Sequence, residues 1–165
     1  MSEQEGVALL TDSDLEEGLA AVAHPDARDR VLRLIDRIAS QRMAAIVFSA
    51  STCRAEALEV TRIYSSRADI YPVGETTNKR ETSWGRHVLR DRRIFVGEGS
   101  LAMAAAFDDP AGMARSGMQS IINVPIVVKD RCLGVLNFGF GTDRIDWRQL
   151  SVARSLAILS IVAFL

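Results

Sequence analysis

The chain has 165 residues, enough for one domain and short for two. With 48% hydrophobic and 25% charged residues it can bury a core without metals or disulfides. A formal net charge of −1 argues against a nucleic-acid partner held by bulk electrostatics. The N-terminus, MSEQEGVALLTDSDLEEGLA, is acidic and lacks the basic start and apolar core of a signal peptide. No apolar run reaches the ~18 residues of a membrane span; the closest, 156–165, is too short. The expectation is a cytoplasmic protein without a membrane partner. Cys53 and Cys132 are far apart in sequence and match no metal-ligand spacing, so free thiols are expected.

A first helix is expected over 12–23, with Leu15, Leu19 and Val22 on one side. His24-Pro25 breaks it, and Asp26 is a suitable N-cap for a second helix running to about residue 41. There Val31, Leu34, Ile35 and Ile38 repeat at helical spacing, opposite a charged face. This divides the chain into an N-terminal helical segment, 1–25, and a main domain, 26–165. Residues 45–48 read as a strand and 58–65 as a second, paired strand. Residues 71–81 read as a loop, and Thr82 or Ser83 caps a short helix holding Trp84, His87 and Val88. A short strand follows at 94–96. The Ala-, Gly- and Met-rich stretch 99–117 is a long connection with helical turns, a length that favours a functional segment. Residues 120–128 and 132–138, joined by Lys129-Asp130-Arg131, form a hairpin. Asp146 caps a last helix from Trp147 to the end. Helices flanking a mostly antiparallel sheet make an α/β (α+β) domain.

The hairpin resembles the signature of GAF domains. The residues that carry the resemblance are Ser120-Ile121-Ile122-Asn123-Val124-Pro125-Ile126 followed by Leu133-Gly134-Val135-Leu136. The likeness implies a central antiparallel sheet of five or six strands, terminal helices on one face, and a ligand pocket closed by crossover segments on the other. Family members bind chemically diverse small molecules, so fold alone does not supply the ligand. Three subfamilies are poorly matched. Asn78-Lys79 begins the N-K-F-D-E constellation of phosphodiesterase GAF domains, but no matching Phe, Asp and Glu follow. Neither cysteine falls where a bilin would be attached. Residues 74–120, where free methionine sulfoxide reductases of this fold carry cysteines, contain none.

The candidate ligand-binding residues are Tyr64, Tyr71, Trp84, His87, Phe107 and Asn123. Trp84 and His87, three apart on a helix, share a face and offer a flat wall with a polar tip, or else a core Trp and a surface His. Tyr64 and Tyr71 stand where strand meets loop, as pocket contacts or as edge packing. Asn123 interrupts an apolar strand; alternation sets it with Ile121, opposite Ile122, Val124 and Ile126, and so toward the pocket. Asn137 has a similar, weaker claim. Arg86, Arg90, Arg92 and Arg93 read as an anion site or, more simply, as a solvated helix end. Asp108-Asp109 before Pro110 reads as a capped turn rather than a base pair or a metal contact. No catalytic motif is present, and no metal or cofactor is expected. The leading reading is a sensor or carrier of a small, aromatic or heterocyclic molecule. Its alternatives are a cofactor-independent enzyme with His87 as acid or base, and a structural dimerisation module. A homodimer through the terminal helices is expected, because the last helix is apolar beyond one stripe, through Val152, Leu159, Val162 and Leu165.

Overall fold

Six strands make one sheet: β1 (Ala45–Arg54), β2 (Glu59–Ser65), β3 (Thr76–Asn78), β4 (Phe95–Glu98), β5 (Ser120–Val128) and β6 (Arg131–Phe140). The computed structural model describes residues 10–107 and 109–165. The strand order is β3-β2-β1-β6-β5-β4, and every neighbouring pair is antiparallel, as expected. β5 and β6 are joined by Lys129-Asp130, whose φ angles of 47° and 63° are both positive. Two positive φ values are the backbone of a type I′ turn, whose twist matches that of the strands it joins. β1 is longer than the expected strand at 45–48, and β3 lies inside the expected loop at 71–81. Both departures are tertiary in origin. Pairing with long β6 extends β1, and pairing with β2 orders Thr76–Asn78, which has no apolar signal of its own.

One face of the sheet carries α1 (Asp12–Val22), α2 (Ala27–Met43) and α5 (Trp147–Ser160). The core lies between them: Val31, Ile35 and Ile38 of α2 and Val152, Ala153 and Leu156 of α5 meet Phe48, Ile122, Leu136 and Phe138 of the sheet. Thr11 and Asp14 form a capping box at the start of α1, and Asp146 and Gln149 form one at the start of α5. Asp26 precedes α2 as expected but makes no side-chain cap bond. α1 folds back within the chain: a Cβ on Gly18 would stand 3.1 Å from Leu159 Cδ1 of α5. Among the described residues no helix is long and apolar enough to cross a membrane.

The other face is covered by a π-helical turn (Gly85–Arg90) and by α3 (Gly99–Ala106) and α4 (Pro110–Ser116). Two register shifts decide which side chains point there. In β2, Ala50 pairs with Tyr64 and Ser51 with Arg62, so Ile63 is an extra residue. Arg62 turns to this second face while Ile63 and Tyr64 both pack on the helical core. In β6, Ile126 pairs with Gly134 and Val127 with Cys132, leaving Leu133 extra. Cys132 thereby joins Trp84, Val88 and Val135 on the second face, in a cluster against which Cys53 of β1 packs. Both thiols are free. Far apart in sequence, they come together in this cluster. Their contact holds the Cys53 thiol well above the ordinary range, with burial adding to it, and draws that of Cys132 down.

Candidate functional site

Between the second face and its cover lies a cavity of about 550 Å³. Its floor is the sheet, with Ser49 and Ser51 of β1, Val60 and Arg62 of β2, and Val135 and Asn137 of β6. Its walls and roof come from Tyr71, Glu75, Lys79 and Trp84 and, across the crossover, Phe107, Asp109, Met113 and Met118. Met118 lies flat on Gly139 of β6, where a Cβ would stand 2.1 Å from its sulfur. The glycine thus lets the crossover approach the sheet.

Trp84 anchors the wall. It is 5% exposed, and its indole N–H donates to Asn123 Oδ1 at 2.9 Å. Asn123 donates in turn to Asn137 Oδ1 at 2.6 Å, and Asn137 to Ser49 Oγ at 3.1 Å. The last three residues are register partners on β5, β6 and β1, so a polar row crosses the sheet beneath the cavity. The ring of Phe107 lies 6.3 Å from that of Trp84, and Lys79 Nζ lies 5.9 Å from the indole centroid. Gly85 permits this approach: a Cβ there would stand 2.0 Å from the Lys79 carbonyl oxygen. Tyr71 pairs its hydroxyl with Ser116 Oγ at 3.2 Å. Burial pushes its pKa up, so it stays a neutral phenol at ordinary pH.

Of the six residues singled out from the sequence, Tyr71, Trp84 and Phe107 line the cavity, and Asn123 stands directly behind Trp84. Tyr64 and His87 are elsewhere. The β2 bulge turns Tyr64 onto the helical face, where it packs on Phe48 and donates to Asp36 Oδ2 at 2.7 Å. Burial raises the Asp36 pKa, partly offset by that hydrogen bond. His87 fails to follow Trp84 because their turn is π-helical: Asp91 N–H bonds Arg86 O, five residues back. The wider turn removes the shared face expected at a spacing of three. The His87 Nε2 lies 3.0 Å from the Ile94 carbonyl oxygen, and its ring meets Phe95 edge-on. Arg86, Arg90, Arg92 and Arg93 are exposed. Asp109 caps α4, accepting the Gly112 N–H at 2.8 Å, whereas Asp108 lies outside the described residues. Arg62 and Ser49 were not singled out from the sequence. Arg62 had a signal, a lone cation two residues from Val60 in a strand, but Ser49 had none.

The GAF domain family model matches residues 25–159. No curated protein matches the chain. Among solved structures, the chain is similar to the GAF domain of a phosphoenolpyruvate-protein phosphotransferase from Coxiella burnetii, at 17% identity and a TM-score of 0.72, over 92% of this chain and 90% of that one. It is similar to the corresponding Acinetobacter domain, at 15% identity and a TM-score of 0.68, over 93% and 94%. It is also similar to free methionine-R-sulfoxide reductase from Neisseria meningitidis in complex with its substrate, at 12% identity and a TM-score of 0.66, over 94% and 92%. At these identities the likeness concerns the fold.

Proposed function

The chain belongs to the GAF domain family, and from that premise we propose that it is a cytoplasmic sensor or carrier that binds one small, flat organic molecule between the sheet and the crossover. The observation that carries this reading is the cavity, about 550 Å³ walled by Tyr71, Trp84, Phe107, Met113 and Met118 around a few polar groups. That size and mixture suit a compact ligand held by apolar area and oriented by a small number of hydrogen bonds. A purely structural module would fill this space with side chains. The enzyme reading depended on His87 as acid or base, and His87 spends its ring nitrogen on Ile94, away from the cavity. The two free thiols accord with a reducing compartment such as the cytoplasm.

Native mass spectrometry of the gently purified chain tests the reading. The expected result is a bound species adding a mass on the order of 100–400 Da, the range such pockets enclose. The bare-chain mass alone, with no thermal shift from any member of a panel of small aromatic metabolites, would reject it.

We also propose a homodimer through the helical face. Much of the surplus apolar surface expected on α5 is covered within the chain, since Val152 is buried and Leu159 meets Gly18. What remains outside includes Leu15, Leu19 and Val22 of α1, Trp147 and Ile158 of α5, and Leu165. Leu19 and Ile158, each 73% exposed, flank the Gly18–Leu159 contact and mark where a second copy would sit.

A further inference from the structure

Neither Cys53 nor Cys132 lines the cavity, yet both pack in the cluster that holds Trp84. Alternation along β1 sets Cys53 in line with Ser49 and Ser51 of the cavity floor. Across the strands, Thr52 is the register partner of Gly134, and the extra residue Leu133 brings Cys132 next to it onto the same face. A second cleft, of about 380 Å³, lies beyond the π-helical turn: Trp84, just before the turn, lines the cavity, whereas Leu89 and Arg90 at its end line the cleft. Cys132 lines this cleft with three arginines, Arg80, Arg90 and Arg92, against two acids, Glu56 and Asp130. Arg92 is fixed there, its Nη1 donating to the Asp130 carbonyl oxygen at 2.7 Å and to Oδ1 at 2.9 Å. Contact with Cys53 draws the Cys132 thiol below its ordinary range against the opposing effect of burial, and the Arg92 charge adds to it. A thiol that ionises easily, beside cations and next to a second thiol able to resolve its oxidised form, has the surroundings of a redox-reactive cysteine rather than of an inert core one. What enters must be small, because Cys132 is only 4% exposed.

We propose that Cys53 and Cys132 are a dithiol switch: a small hydroperoxide reaching Cys132 through the cleft converts the pair to a disulfide, and the new bond moves the Trp84 wall of the cavity. The Cys132 thiolate attacks one peroxide oxygen. The O–O bond breaks, S–OH forms on Cys132, and the departing oxygen takes up the proton that Cys132 released. The Cys53 sulfur then attacks the Cys132 sulfur, the S–O bond breaks, and water leaves with the Cys53 proton. The two thiols lose two electrons and the peroxide gains them, so hydrogen peroxide ends as two waters. A dithiol reductant resets the pair by exchange.

The test exposes the full chain to hydrogen peroxide at pH 7, with the same chain unfolded in urea as the reference for unassisted thiols. The expected product is lighter by two hydrogens, and the folded chain forms it roughly tenfold or more faster than the unfolded one. With dimedone present, Cys53→Ser carries the adduct on Cys132, whereas Cys132→Ser keeps Cys53 as a thiol over the same exposure. A second measurement leaves both cysteines in place. In Trp147→Phe the only indole left is that of Trp84, and its emission is expected to change on oxidation and to return with dithiothreitol. A folded chain that reacts no faster than the unfolded one, or an adduct on Cys53 alone, overturns the proposal. A disulfide that forms without changing the Trp84 emission overturns the switch.

Discussion

Asn123 is fully buried, and both ends of its amide are used, the oxygen by the Trp84 indole and the nitrogen by Asn137. Truncation to alanine would strand an N–H on one side and a carbonyl on the other in a place that water does not reach. Asn123→Ala is therefore expected to lower stability by about 2–3 kcal/mol, toward the upper end for an orphaned buried pair. It should also weaken the near-ultraviolet circular dichroism that a fixed indole gives. Urea unfolding and the spectrum of the folded variant check this; an unchanged midpoint and an unchanged spectrum would mean that the polar row does not hold Trp84. Asn123 was legible in the sequence because a single amide in an apolar strand must find partners, and alternation gave its face. What alternation could not give was its partner, 39 residues upstream on another element, or the fact that the indole lies between the amide and the cavity.

At the scale of elements, the terminal helices and the hairpin were readable because each is set by local chemistry: helical spacing in α2, the Asp146 cap before α5, a short polar turn between β5 and β6, which the structure shortens from the expected three residues to two. The bulges were not readable, and they account for much of what was missed. One extra residue at Ile63 sends Tyr64 to the helices and leaves Arg62 to the cavity; one at Leu133 carries Cys132 to Cys53. A period of two read through a bulge assigns the wrong face to everything beyond it. The second bulge has a chemical signature. Diamide, a two-electron acceptor, should take one hydrogen from each thiol and join Cys53 to Cys132 within a single chain, being itself reduced to the hydrazine. The product is expected to be lighter by two hydrogens, to migrate as a monomer without reductant, and to be absent in Cys53→Ser. Linked dimers instead, or two thiols left unreacted after long exposure, would place the cysteines apart and the β6 register with them.

For the whole molecule, the exposed stripe of Leu15, Leu19, Val22 and Ile158 predicts association in solution. Sedimentation at micromolar concentration should give a species of twice the 18.1 kDa chain. Leu19→Lys, on a residue with little to lose inside the monomer, should shift it toward the single chain at unchanged thermal stability. A single-chain species that does not change over a tenfold rise in concentration would reject the dimer. The borders of the sheet offer no strong rival to that contact, for a reason that lies in the strand order. A sheet that does not close on itself has two borders of unpaired N–H and C=O groups, and each could template a further strand from another copy. Here the borders are the two shortest strands. β3 contributes Thr76, Thr77 and Asn78, all exposed and polar, and β4 contributes four residues before Gly99, at a φ of 78°, turns the chain away into α3. Runs this short present too few groups in line for a strand to add stably, so the sheet is protected against fibrous growth at both rims.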